Sequence, residues 1–122
     1  MNTVQVVAIL KRFEHPDEVR LMEKGRFEIV EIGGLMVGRA IYEPGWRWSE
    51  HVGPTVGKKL CPVAHVGYVV SGTATAAFED GTVQALTPGT LFHVPPAPHD
   101  SWVVGEEAYV SIHFLGAEDY LR

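Results

Sequence analysis

The sequence has one cysteine, Cys61, which excludes an internal disulfide and suits a reducing compartment. It has no run of basic residues, and its net charge of −5 argues against nucleic acid or an anionic membrane as partner. It has no apolar run long enough to span a bilayer and no signal-peptide layout at the N-terminus, so a cytoplasmic location with no membrane partner is expected. Helical periodicity is scarce too. The helical candidates are about one turn each, near "PDEVRLMEK" and at the terminal "AEDYL".

Glycine and proline are plentiful, with 13 and 8 copies. They cut the chain into short segments rich in Val, Ile, Thr and aromatics. "VQVVAIL" (4–10), "RFEIVEI" (26–32), "LMVGRAIY" (35–42), "AHVGYVV" (64–70) and "TATAAF" (73–78) read as strands, and "TVQAL" (82–86), "TLFHV" (90–94), "SWVV" (101–104) and "AYVSIHF" (108–114) continue the series. Turn dipeptides join them, and Asp80-Gly81 is a strong hairpin signal. The pattern predicts one all-β domain over residues 1–122, a sandwich or barrel of two antiparallel sheets.

Among the six histidines, His15 lies in a charged segment and reads as surface. His51, His65, His93, His99 and His113 lie on or beside predicted strands. A single strand histidine is most often a hydrogen-bonded wall residue. Several on neighbouring strands of a small barrel converge on one cavity, where neutral imidazoles bind divalent metals. In "HVGYVVSG", alternation puts His65, Gly67 and Val69 on one face, so Gly67 leaves room beside an inward His65. Read as a strand, "GWRWSEH" sets Arg47, Ser49 and His51 against Trp46, Trp48 and Glu50. Arg47 is then an anion clamp or a surface ion pair. His93 and His113 face either the cavity, as acid/base or substrate-binding groups, or the outside. Asp100 either orients His99 or bonds local backbone. Cys61 lacks the cysteine partners of a zinc site and reads as a small loop or core residue.

"PGTLFHVPPAPHD" (88–100) pins its backbone with Pro95, Pro96 and Pro98 immediately before His99. Together with "HVGYVVSG" and the Gly45-to-His51 spacing, this stretch resembles the two motifs of a small single-domain cupin of the conserved-barrel type. The resemblance runs from Pro44 to about Gly116. The first motif is Gly, five residues, His-x-His, a short gap, Glu, six residues, Gly; the second is a Pro-Gly turn, a short strand, a Pro-x-Gly corner and His. Here Gly53 replaces the second histidine counted from His51, His65 replaces the glutamate, and Ala97 replaces the corner glycine. The resemblance implies a double-stranded β-helix, or jelly roll, with its core at about 40–116 and N-terminal strands within 1–39. It also implies one divalent ion (Fe, Mn, Ni or Zn) on His51, His65 and His99. The expected function is that of a metal-dependent enzyme acting on a small carboxylate or carbonyl compound by oxygenation, isomerisation, decarboxylation or hydrolysis. A non-catalytic ligand-binding or sensor cupin is the alternative. Two further expectations follow: residues 52–62 form a mobile lid, and a homodimer covers Trp46 and Trp48 unless the N-terminal segment does so within one chain.

Overall fold

The structure, a computed structural model, describes residues 6–119. Ten strands and two single-turn helices follow in the order β1 (Glu18–Met22), β2 (Gly25–Ile32), β3 (Leu35–Tyr42), α1 (Trp48–His51), α2 (Gly53–Val56), β4 (His65–Ser71), β5 (Thr73–Phe78), β6 (Val83–Leu86), β7 (Leu91–Val94), β8 (His99–Asp100), β9 (Val103–Val104) and β10 (Tyr109–Leu115). Six strands form one sheet in the order β1-β2-β3-β10-β4-β7. The second sheet runs β6-β5-β8, with β9 also paired to β5. All pairings are antiparallel. This is the all-β, two-sheet architecture that the turn-punctuated sequence predicts.

The core lies between the sheets. Phe27, Ile29, Ala40, Val69 and Tyr109 enter it from the six-stranded sheet, and Ala74 and Val103 from the smaller one. Each sits on the inward phase of a two-residue alternation. On β4 that alternation turns His65, Gly67 and Val69 inward and leaves Tyr68 and Val70 exposed. Gly67 does not leave a vacancy beside His65. A Cβ there would lie 2.4 Å from the Ile112 carbonyl oxygen and 2.5 Å from Phe92 Cζ. The phenyl ring of β7 occupies that space.

Several sequence expectations are corrected. In "PDEVRLMEK", Glu18–Met22 is strand β1, not a helical turn. It joins β2 through Glu23-Lys24, with Lys24 at φ 62°, so the charges that suggest a helix instead flank a tight hairpin. Of "VQVVAIL", residues 4–5 lie outside the described residues and 6–10 form no strand. Residues 117–119 of the terminal stretch make a turn; 120–122 are not described.

In "GWRWSEH" the extended Arg47 keeps Trp46 and Trp48 on one face, that face enters the core, and α1 begins only at Trp48. Trp46 is 1% exposed, lies 3.8 Å from the Tyr42 ring in a parallel stack, and directs its indole N–H at Met22 Sδ. Burying one such ring contributes on the order of 4–6 kcal/mol. The tryptophans are thus covered by their own chain, partly by residues of β1 and β3. Within residues 52–62, expected to form a lid, Gly53–Val56 is a helical turn; Val52, Gly53 and Cys61 are buried, and residues 54–55 and 57–59 are exposed.

Candidate metal centre

Three backbone devices bring the site together. β4 opens at His65 and turns its imidazole inward. Four residues earlier, Cys61 pairs with His99 as an isolated antiparallel bridge; Cys61 N–H donates to the His99 carbonyl at 2.8 Å and His99 N–H to the Cys61 carbonyl at 3.1 Å. The side chains of this pair therefore stand together. The proline corner supplies the third device. It holds the Ala97 carbonyl 2.9 Å from His99 Nδ1, which donates to it. Nδ1 then carries the proton, and Nε2 keeps a lone pair free for a ligand.

Cys61, His65 and His99 are all buried, and each offers a ligand atom within 4.8 Å of the other two. Cys61 Sγ lies 3.5 Å from His65 Nε2. The His65 and His99 rings meet edge to face at 5.5 Å between centroids. In a tetrahedral zinc site with bonds of about 2.0–2.3 Å, donor atoms stand roughly 3.3–3.8 Å apart. The Cys61–His65 spacing already fits. The donors suit an ion as well: one thiolate and two neutral imidazoles form a borderline-soft set. His65 Nδ1 and His113 Nδ1 are buried without a hydrogen-bond partner among the described residues. Unsatisfied buried nitrogens are rare unless something outside the chain uses the site.

His113 completes the wall from β10. Its ring is edge-on to His65 at 5.5 Å, and its Nε2 lies 2.9 Å from Ser111 Oγ. Burial sets the protonation of all these groups. It lowers His65 to about 3, helped by the neighbouring His113 and His99, and lowers His113 to about 4. It also lowers His99, against the opposing pull of the Ala97 carbonyl and Asp100. The Cys61 thiol is pushed up to about 11 by burial. At neutral pH the cluster is thus three neutral imidazoles and a thiol, and binding a cation at Cys61 would expel a proton.

The other sequence candidates lie elsewhere. His51 is not brought to His65 and His99. It ends α1, where its Nδ1 accepts from the Arg47 backbone N–H at 2.9 Å. Arg47 does not line the cavity; its guanidinium lies 4.3 Å from the Trp102 ring centre and 3.3 Å from Asp100. Asp100 makes no hydrogen bond to His99. It accepts from Ser49 N–H and Oγ–H, Ser101 N–H and Arg47, tying α1 to β8. His93 faces outward on β7, exposed, opposite Val66 of β4, and His15 is exposed as expected.

No protein-family model and no curated protein matches the chain. Solved structures do. An oxalate decarboxylase of Bacillus subtilis superposes with a TM-score of 0.62 at 18% identity, over 98% of this chain and 33% of that one. The Lactobacillus farciminis oxalate decarboxylase, in a formate complex, gives 0.61 at 16% identity, over 90% and 33%. This chain therefore spans about a third of those enzymes. A cupin-like protein from Thermotoga maritima is matched over 88% of this chain and 79% of its own, with a TM-score of 0.54 at 15% identity. The fold is a cupin fold.

Within that fold the geometry shifts the first motif. Counted back from His65, the spacing is Gly53, five residues, Lys59-Leu60-Cys61, a gap of three, His65, six residues, Gly72. Cys61 then stands at the second histidine of His-x-His and exposed Lys59 at the first. Gly53 fits for a physical reason: a Cβ there would sit 2.3 Å from the Lys58 carbonyl oxygen. Gly45 and His51 imitate the motif's opening eight residues too early. The signal for Cys61 was present in the sequence, in the interval back from Gly72.

Proposed function

We propose that this chain is a small single-domain cupin enzyme that binds one divalent ion through Cys61 Sγ, His65 and His99 Nε2 and acts on a small molecule. The observation that carries this reading is the convergence of those three buried donors in a cavity whose imidazole nitrogens are left partly unsatisfied. A thiolate favours zinc or iron over manganese. When bound, such an ion supplies a Lewis-acid position with room for a further ligand, since three protein donors do not fill a tetrahedral shell.

The residues around it have definite tasks. Cys61 gives up its proton to become a ligand. The Ala97 carbonyl fixes the tautomer and ring plane of His99. Trp46, Trp48, Phe92 and Tyr109 line the cavity and limit water in it. His113 offers a hydrogen-bonding nitrogen from β10, the strand paired with that of His65. No cationic side chain lines the cavity among the described residues, so Arg47 has no part in substrate binding in this reading.

Elemental mass spectrometry of protein purified without a histidine tag tests the proposal. Near-stoichiometric zinc or iron is expected in the parent, and less than a tenth of that in His65→Ala and in Cys61→Ser. Equal metal in the parent and both variants would refute the assignment.

A further inference from the structure

The cavity itself limits what this site can accept. Its volume is about 50 Å³. At roughly 10–15 Å³ for each water-sized position, that is room for about three to five small atoms or waters. Pockets for drug-sized ligands are several times larger, about 300–1,000 Å³. Part of the wall is aromatic side chains of the core, such as Trp46, 1% exposed and stacked on Tyr42. Phe92 fills the space left by Gly67, so the cavity does not extend behind β4.

Charge narrows the choice further. No Asp, Glu, Lys or Arg lines the cavity among the described residues. A divalent ion held by one thiolate and two neutral imidazoles leaves a single positive charge. A monoanion neutralises it. A dianion would leave a net negative charge against largely apolar walls with no cationic side chain among the described residues to offset it, which is unfavourable. Among the polar side chains that line the cavity, which include Thr75, Ser101 and Tyr109, His113 is 7% exposed and its Nδ1 has no hydrogen-bond partner among the described residues. When the Ser111 hydroxyl donates to Nε2, Nδ1 carries the proton and is a donor for an anionic oxygen.

Resting on the metal-binding reading above, we infer that the cavity selects a monoanion of about three or four non-hydrogen atoms, of the carboxylate type, bound beside Cys61, His65 and His99 and hydrogen-bonded by His113. The inference concerns size and charge, which the metal assignment leaves open.

The test uses the full chain loaded with cobalt(II), whose visible bands report both loading and added ligand. Formate, azide, malonate and benzoate are titrated in turn, with calorimetry as a second readout. Formate and azide are expected to shift the cobalt bands saturably, and malonate and benzoate to bind at least tenfold more weakly. His113→Ala should weaken formate about tenfold, the size of one charge-assisted hydrogen bond. His113→Gln, which keeps a side-chain N–H, should recover part of that loss. Leu86→Ala, which trims a cavity wall, should let benzoate bind, and it tests the size limit if the His113 variants do not fold. If the cobalt protein binds benzoate or malonate as tightly as formate, or answers to none of the four, the inference is wrong while the metal assignment stands. If cobalt is not taken up at all, the metal reading itself is wrong and the inference falls with it.

Discussion

His99 and Asp100 are consecutive residues of β8 with opposite surroundings. The Asp100 carboxylate accepts four hydrogen bonds, from Ser49 twice, Ser101 and Arg47, and so fastens α1 to the smaller sheet. His99 is fixed on one side by the Ala97 carbonyl, while its Nε2 has no hydrogen-bond partner among the described residues. The same contrast separates His51, whose Nδ1 is used by the Arg47 backbone, from His65, whose Nε2 meets the Cys61 sulfur and whose Nδ1 has no partner among the described residues. A polar side chain that holds the fold together is saturated by the fold. One available to a ligand is oriented by a single bond and otherwise left open. Which histidines matter follows from this accounting rather than from their number.

The contrast breaks first under acid. In the metal-free protein His65 titrates at about 3 and His113 at about 4, against 6.5 when unfolded. Between those values the unfolded chain binds more protons, so stability rises with pH. It is full above pH 6.5 and is lost progressively as pH falls toward 4, by roughly 2–3 kcal/mol for each histidine. Urea titrations of the apoprotein at several pH values should show the midpoint falling across this window. A midpoint constant from pH 7 to pH 4.5 would mean that these imidazoles are not buried and neutral.

A smaller loss is expected on the saturated side of β8. Asp100→Ala leaves Arg47 and two backbone N–H groups without their acceptor and should cost about 2–4 kcal/mol. Metal content should remain at the parent level, as it should in His51→Ala, which removes one acceptor for about 1 kcal/mol. Thermal denaturation together with elemental analysis checks both variants. Loss of metal without loss of stability in either would reverse the division between the two clusters.

Much of the fold was legible in the sequence. The Gly- and Pro-bounded segments from 26 to 42 and from 64 to 114 became strands, and Asp80-Gly81 became the β5–β6 hairpin, because turn chemistry acts locally. β1 was missed because its charges mimic helical spacing; only pairing with β2 makes "EVRLM" a strand. "GWRWSEH" alternates as read as far as Trp48, where α1 begins, and the face that carries both tryptophans is the inner one. The expectation of a partner chain over these tryptophans therefore loses its physical motive.

At the site, His65 and His99 were legible from the spacing to Gly72 and from the proline corner. The interval back from Gly72 also marks Cys61, but Gly45 and His51 offer a competing start to the motif that hides it. The bridge that sets Cys61 beside His99 joins residues far apart in sequence. Alternation placed His113 and His93 on definite strand faces, and only the pairing of β10 and β7 with β4 decided which face was inside.

The claim that Cys61, His65 and His99 form one metal site is tested most directly by X-ray absorption at the zinc edge of the zinc-loaded protein. The account predicts a first shell with one sulfur at about 2.3 Å and two imidazole nitrogens at about 2.0–2.1 Å, with the sulfur gone in Cys61→Ser. A shell of nitrogen and oxygen alone in the parent, unchanged by that substitution, would contradict it.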